Sequence, residues 1–309
     1  MFRNKIIALL LIIWSFWSGC IREDNSECPE GLYILFIPEN TKHIFPEIVH
    51  TVDLLFYDMN GNLGAMHHYK SEQLRNGDKA AYIEYIPEGT YQVVAIINNI
   101  TDYCTNNTDQ LSDLRTYLLG TVIQHRVIDF FSGMKIITVT RDNNIQEEIM
   151  PIFKHNNHIR LLISMEGFHP QDDFQLQCYI AGNNGMYHYQ SHSCNENEYR
   201  TYLPYDIKTN QTSLPDWFDF STMRLWIGSD ITLYIHKKEL TRASVQSLEL
   251  NIAEKLSTIR NEDGEYIYNT DDKLQYNDEY EIVLKLDSDF FILELTINGW
   301  SIIGGNVDI

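Results

Sequence analysis

Histidine and cysteine are the residues of this chain that could bind a metal, and their spacing argues against a metal site. No HExxH or CxxC motif occurs among the 11 histidines and five cysteines. His67 and His68 are adjacent, so in a strand they point to opposite faces. His188 and His192 are four residues apart, roughly 13 Å along a strand. We therefore predict structural or surface roles for the histidines, and no metal or cofactor.

Acidic and hydroxyl side chains could supply calcium ligands or a nucleophile. The stretches 261–265 and 271–272 are rich in Asp, Asn and Glu, but their spacing differs from that of an EF-hand loop, and turn formation explains their composition. GxSxG, P-loop and dinucleotide-binding motifs are absent. Ser, His and Asp are scattered through the chain and point to no triad. The sequence thus predicts no catalytic residue, and we do not expect an enzyme.

The first 20 residues combine basic side chains, an apolar run and a cysteine. Arg3 and Lys5 precede an apolar run over 6–16 that is too short to span a bilayer as a helix, and small residues then lead to Cys20. This pattern resembles the lipobox of bacterial lipoproteins, although Trp17 stands where leucine is usual. The resemblance implies cleavage after residue 19 and acylation of Cys20, palmitate included. An uncleaved anchor and an ordinary secretory signal are the alternatives.

The charge of the chain limits its partners. There are 43 acidic and 23 basic residues, and the predicted cleavage removes Arg3 and Lys5, which leaves a net charge of −22. Such a surface repels nucleic acid and anionic headgroups, so we expect no nucleic-acid partner. Retention at a membrane must come from several acyl chains on Cys20, because each buried methylene contributes roughly 0.8 kcal/mol and one chain binds marginally.

The residues after Cys20 indicate a destination. Ile21 stands where Asp marks retention in the inner membrane of enterobacteria, and Glu23 with Asp24 resembles the acidic export signal of Bacteroidota-type lipoproteins. We therefore expect a lipid-anchored protein of the outer membrane, exposed at the cell surface.

Four cysteines remain for disulfide bonds. Cys28, Cys104, Cys178 and Cys194 allow three pairings in an exported chain. Cys178 and Cys194 flank a predicted turn at 182–185, so we predict a possible disulfide between them, worth roughly 3 kcal/mol. Free thiols are the alternative if the organism lives without oxygen.

Apolar residues recur with a period of two from Leu32 onward, a pattern typical of antiparallel β-sandwiches. Turn residues predict hairpins at 60–61, 87–90, 182–185, 228–230 and 287–289. One helix is predicted over 108–120, with Leu111, Leu114 and Leu118 on one face. A strand leading into a short helix is predicted over 244–256.

A polar break at 154–157 divides this pattern. We predict a signal peptide over 1–19, a lipidated tether over 20–31, and β-sandwich domains over 32–155 and 156–309. The predicted fold class is all-β: two tandem antiparallel sandwiches with short helical insertions.

Several motifs follow the lipobox in a characteristic order: Cys28-Pro29-Glu30-Gly31-Leu32, LLFYDMNG over 54–61, IPEGTY over 86–91 and Asn298-Gly299-Trp300. This order resembles the fimbrial anchor lipoproteins of Bacteroidota, the FimB and minor-fimbria anchor group. The resemblance implies two transthyretin-like domains and a role at the base of a fimbria, where the protein would hold a stalk subunit to the outer membrane.

The tether favours an anchor over a stalk subunit. Residues 21–31 span at most roughly 40 Å, and cleavage at Arg22 would release the lipid without stripping a long propeptide strand. The long C-terminal strands could pair with the edge of a partner. Two alternatives stay open: a stalk or tip subunit of the same superfamily, and a surface lipoprotein that binds glycan through exposed aromatic residues such as Trp217, Phe218, Trp226 and Trp300.

Overall fold

The computed structural model describes residues 31–39, 49–75, 80–140, 145–166, 174–189, 198–208, 216–239 and 245–302. Cys20, Cys28, His192 and Cys194 lie outside these stretches. The lipidation and disulfide predictions therefore stay predictions.

Alternating apolar residues form strands throughout the first half of the chain. They are β1 (Gly31–Pro38), β2 (Thr51–Tyr57), β3 (Leu63–Lys70), β4 (Ala80–Ile83), β5 (Gly89–Ile97), β6 (Tyr103–Asn106), β7 (Arg115–Leu118), β8 (Val122–Ile123), β9 (Phe131–Val139) and β10 (Ile145–Lys154). Short 3₁₀ turns cover Ser71–Gln73 and Leu111–Asp113.

Seven of these strands form one sheet that folds over on itself. Its order is β3-β2-β5-β9-β10-β1-β4, and β10 pairs with β9 over two residues, Phe153 and Lys154. The two halves of the sheet enclose a buried core that includes Ile34, Leu54 and Ala95. β3 and β4 are the two ends of this sheet, away from the β9–β10 pairing. The Tyr69 hydroxyl of β3 donates a hydrogen bond to the Tyr82 carbonyl of β4 and so joins them. The result is a β-sandwich.

The second half of the chain forms two further sheets. Its strands are β11 (Asn156–Met165), β12 (Phe174–Gly182), β13 (Met186–His188), β14 (Arg200–Tyr202), β15 (Asp206–Lys208), β16 (Asp216–Met223), β17 (Ile231–Glu239), β18 (Val245–Asn251), β19 (Glu279–Leu286), β20 (Ile292–Ile297) and β21 (Trp300–Ser301). Two short helices are α1 (Ile252–Thr258) and α2 (Asp271–Gln275).

The sheets β15-β16-β11-β19-β20-β21 and β18-β17-β12-β14-β8 contribute to one core. That core includes Leu161 and Ile282 from the first sheet and Ile180 and Leu233 from the second. Leu55 and other residues on the outer side of the first sandwich also belong to this core.

Strands from the first half complete the second half. β8 pairs with β14, and β7 pairs with β13 in a small sheet, β13-β7-β6. The domain bounds at residues 155 and 156 stay a prediction, but hydrogen-bonded pairing crosses them.

The predicted all-β fold class is confirmed, and so are the hairpins β2–β3 and β19–β20. Gly61 has a φ of 84°, as the first of these turns requires. The strand that leads into a short helix is also confirmed, as β18 and α1. Three strand pairs, β1–β10, β11–β19 and β8–β14, are parallel, which the antiparallel prediction did not include.

The other three predicted hairpins are wrong. β4 pairs with β1 while β5, which begins at Gly89, pairs with β2 and β9, so residues 84–88 connect the two halves of a sandwich. β12 and β13 lie in different sheets, as do β16 and β17. Tight-turn residues permit a sharp change of direction but do not decide whether the flanking strands pair with each other.

The predicted helix over 108–120 is also wrong. A 3₁₀ turn at Leu111–Asp113 and strand β7 replace it, and Leu111, Leu114 and Leu118 are all buried. Thr116 and Tyr117 favour a strand, and β7 gains hydrogen bonds from both β6 and β13. Tertiary pairing therefore outweighs the helical spacing of the leucines.

Candidate functional site

The predicted tether enters the fold at the start of β1. Gly31 is the first residue of this strand, and a Cβ atom there would lie 2.9 Å from the Ile83 carbonyl oxygen and against the Tyr82 ring, so the close approach of the backbone favours glycine. All eight residues of β1 pair in parallel with β10, and Leu32 to Leu35 also pair with β4. The strand nearest the predicted lipid is thus held on both sides.

The other end of β1 reaches the second half of the chain. Glu39, just after β1, donates its backbone N–H to the Ile152 carbonyl and lines a cleft of about 460 Å³. His158 and Arg160 of β11 line the same cleft, with the start of β19. At about 3.3 Å per residue, Gly31 lies roughly 23 Å from Pro38, so the tether enters well away from this cleft.

Arg160 and His158 of the cleft pair with Asp219, which lies beside it. Arg160 donates two hydrogen bonds to Asp219, from Nε to Oδ1 at 2.8 Å and from Nη2 to Oδ2 at 3.2 Å, and these bonds raise the pKa of Arg160. His158 Nε2 lies 3.4 Å from Asp219 Oδ1, but burial lowers the pKa of His158. No group of three or more metal-ligating side chains occurs among the described residues. The arrangement can orient charges but offers no nucleophile with a base.

The polar break at 154–157 is a buried junction. Lys154 Nζ lies 3.1 Å from Asp129 Oδ1 and 3.3 Å from Asp278 Oδ2, and its side chain is 4% exposed. Asn156 Oδ1 accepts a hydrogen bond from the Phe130 N–H, and Asn157 Oδ1 accepts one from the Leu225 N–H. Through these contacts, residues 154–157 connect the loop before β9 with the segments that precede β17 and β19.

The disulfide prediction loses part of its basis. Cys178 is buried in β12, which pairs with β14 and β17, and the turn at 182–185 does not form a hairpin. Cys194 lies outside the described residues. The pairing of Cys178 with Cys194 stays a prediction.

The four aromatic residues of the glycan alternative do not form a common exposed platform. Phe218 and Trp226 are buried, and Trp300 packs against the core. Trp217 lies on the outer face of its sheet, where Arg160 Cζ is 4.7 Å and Lys208 Nζ 4.3 Å from the ring centre. The Arg160 and Lys208 side chains therefore already cover the Trp217 ring.

The histidine and acidic stretches have structural partners. His68 Nδ1 lies 2.6 Å from Asp53 Oδ1 on one side of β3, and His67 contacts the Phe56 ring on the other, as predicted. Asn261 Oδ1 accepts a hydrogen bond from the Glu265 N–H, which confirms a turn at 261–265, whereas Asp271 and Asp272 form the first turn of α2.

The sheet edges differ in length. β8, β15 and β21 are edge strands of two or three residues, whereas β18 has seven and β3 has eight. In β18 one side chain, Glu249, is charged. Of the described residues, none belongs to a helix long and apolar enough to cross a membrane.

The described residues form two β-sandwiches that are joined by strand pairing and by buried polar contacts. The comparisons give the family: the model for Mfa2, the fimbrillin-A associated anchor proteins Mfa1 and Mfa2, matches residues 25–304. The chain belongs to this family of fimbrial anchor and associated proteins. No curated protein sequence matches it.

Solved structures share the fold at low identity. A putative polysaccharide binding protein from Bacteroides thetaiotaomicron is 19% identical with a TM-score of 0.73, covering 88% of this chain and 96% of its own. A putative adhesin from Bacteroides ovatus is 16% identical with a TM-score of 0.69, covering 88% and 94%. The fimbrial anchor protein Mfa2 from Porphyromonas gingivalis is 16% identical with a TM-score of 0.66, covering 89% and 99%.

Proposed function

We propose that this protein is the lipid-anchored base of a fimbria, with acyl chains on Cys20 in the outer membrane and a stalk subunit bound to the folded part at the cell surface. Family membership supports the fimbrial role. The observation that carries the anchor role is the position of β1, because the strand that follows the tether is paired on both sides.

This geometry suits a protein that carries mechanical tension between a membrane and a fimbria. Tension between the lipid and the fimbria would act along β1, whose eight residues pair with β10 and four of which pair with β4. A pull along a strand loads many hydrogen bonds together, whereas a pull across a strand breaks them one at a time. A short tether that joins such a strand transmits force without unravelling the fold.

The stalk subunit is proposed to bind through strand pairing at a sheet edge. The edge of β20 is partly covered, because β21 pairs with Thr296 and Ile297 and the Ile302 N–H bonds to the Leu295 carbonyl. β18 offers a longer edge with one charged side chain, and it lacks the short length and dense charge that usually protect edges. No catalytic step belongs to this role.

Complementation of a gene deletion tests the anchor. Cells with the wild-type gene should carry fimbriae, whereas Cys20→Ala should release both the protein and the fimbriae into the medium. Cys28→Ala, eight residues further along the same tether, is the matched control and should leave the fimbriae on the cells.

Two outcomes would contradict the proposal. Fimbriae of unchanged length and attachment in the deletion strain would exclude an anchor. A mature N-terminus well inside the first sandwich, in place of an acylated Cys20, would indicate a stalk subunit.

A further inference from the structure

One outer face of the first sandwich is apolar and exposed. It consists of outward side chains on β10, β1 and β4, here called the β1 face: Tyr33, Leu35, Ile37, Tyr82, Ile145, Ile149 and Pro151. The strand register aligns Leu35 with Ile149 and Ile37 with Pro151. Ile149 is 53% exposed, Ile37 39% and Ile145 38%. The apolar residues therefore adjoin one another across the strands.

The β1 face is nearly free of charge on a strongly acidic protein. Among the outward residues of these described strands, Glu147 is the one with a charged side chain. Arg75 lies at the margin, where Nη1 donates to the Tyr33 hydroxyl and Cζ lies 4.3 Å from the Tyr82 ring centre. These two charges offset each other, so this face can approach headgroups that the rest of the surface repels.

The predicted tether leads to the middle strand of this face. Ten residues, 21–30, separate Cys20 from β1, so a lipid on Cys20 would keep the β1 face within roughly 40 Å of the bilayer. At that distance the membrane is present at high effective concentration, and weak apolar contact suffices for docking. A soluble partner is not tethered to the protein, so its effective concentration at the β1 face is not raised in this way.

We propose that the β1 face docks on the surface of the bilayer that holds the acyl chains, so that the first sandwich lies against the membrane. This inference rests on the proposed lipidation of Cys20. Exposed apolar patches of this kind mark interaction sites, and apolar contact with the interface adds to the lipid anchor. The face thereby fixes the orientation of the whole protein on the membrane.

Vesicle flotation without the lipid tests the face separately from the anchor. The full mature chain with Cys20→Ala should float in part with vesicles of phosphatidylethanolamine that contain a minor share of phosphatidylglycerol, at about millimolar lipid, which replaces the effective concentration that the tether supplies. Adding Ile37→Glu and Ile149→Glu should lower the bound fraction about tenfold, because two apolar contacts are lost and two like charges are gained. Circular dichroism checks that the variants fold, and Ile37→Ser with Ile149→Ser replaces them if they do not.

The matched control changes two apolar residues on the opposite side of the same sandwich. Met134 and Ile136 of β9 are 37% and 59% exposed, and Met134→Glu with Ile136→Glu should leave flotation unchanged. Equal loss in both double variants, or no flotation of the parent, would overturn the proposal. A parent that does not float but sediments as a dimer, which the β1-face variant dissociates, would instead assign the face to a second copy. Binding this weak still lets Cys20→Ala leave the cells for the dilute medium, so the release experiment and the flotation experiment distinguish failure of the anchor from failure of the β1 face.

Discussion

Lys154 illustrates, at the level of one residue, how the sequence can identify a feature and miss its role. The run Lys154-His155-Asn156-Asn157 was predicted to be a polar break between domains, yet all four residues are buried. Their partners include Asp129 and Asp278, which lie far away in the chain. Alternation of apolar residues locates such a break, but it cannot identify partners that only tertiary structure brings together.

Removal of the Lys154 charge should destabilise the protein strongly. Lys154→Met keeps the length of the side chain but leaves Asp129 and Asp278 without their shared cation, so we expect a loss of about 3 kcal/mol in the free energy of unfolding. Urea denaturation measures the change. Lys135→Met is the control, because its partner Glu148 is more exposed and the loss should stay below about 1 kcal/mol. Equal losses would show that the buried junction contributes no more than a surface ion pair.

At the level of elements, periodicity of two correctly predicted strands, while turn residues predicted their pairing in two of five hairpins. Asn60-Gly61 joins partners, but the turn at 182–185 leads from β12 into a different sheet. The predicted Cys178–Cys194 bridge rested partly on such a hairpin, so it loses that part of its basis and stays a prediction. Pairing between distant strands such as β1 and β10 depends on the whole fold and has no local signal.

The crossing of β9 and β10 gives a prediction at this scale. A Cβ atom on Gly133 would lie 2.3 Å from the Pro151 carbonyl oxygen and 3.0 Å from Ile152, where the first sheet folds over. Gly133→Ala should therefore cost about 2 kcal/mol in unfolding free energy, because backbone must shift to make room. Gly64→Ala, whose Cβ would have ordinary contacts at 3.5 Å, should change stability by less than about 0.5 kcal/mol. Thermal or urea unfolding that ranks the two variants equally would refute the steric argument.

At the level of the whole molecule, the two sandwiches share strands and side-chain contacts. β7 and β8 precede residue 156 but pair with β13 and β14 beyond it. Arg200 is nearly buried and donates from Nε and Nη2 to the Leu118 carbonyl, at 3.0 and 2.8 Å. In the proposed role at the base of a fimbria, this continuity would let contacts that belong to both halves resist a pull on one of them.

This continuity predicts a single unfolding transition and a second half that does not fold alone. The tryptophans of the mature chain, at 217, 226 and 300, all lie beyond residue 156, so tryptophan fluorescence reports the second half while far-ultraviolet circular dichroism reports the whole chain. The two urea curves should coincide in midpoint and slope. A fragment of residues 156–309 lacks β7, β8 and the carbonyl that pairs with Arg200, so its amide spectrum should show the poor dispersion of an unfolded chain. Separate midpoints together with a well-dispersed fragment would show instead two independent domains, and tension on the fimbria would then have to pass through the residue 155–156 connection alone.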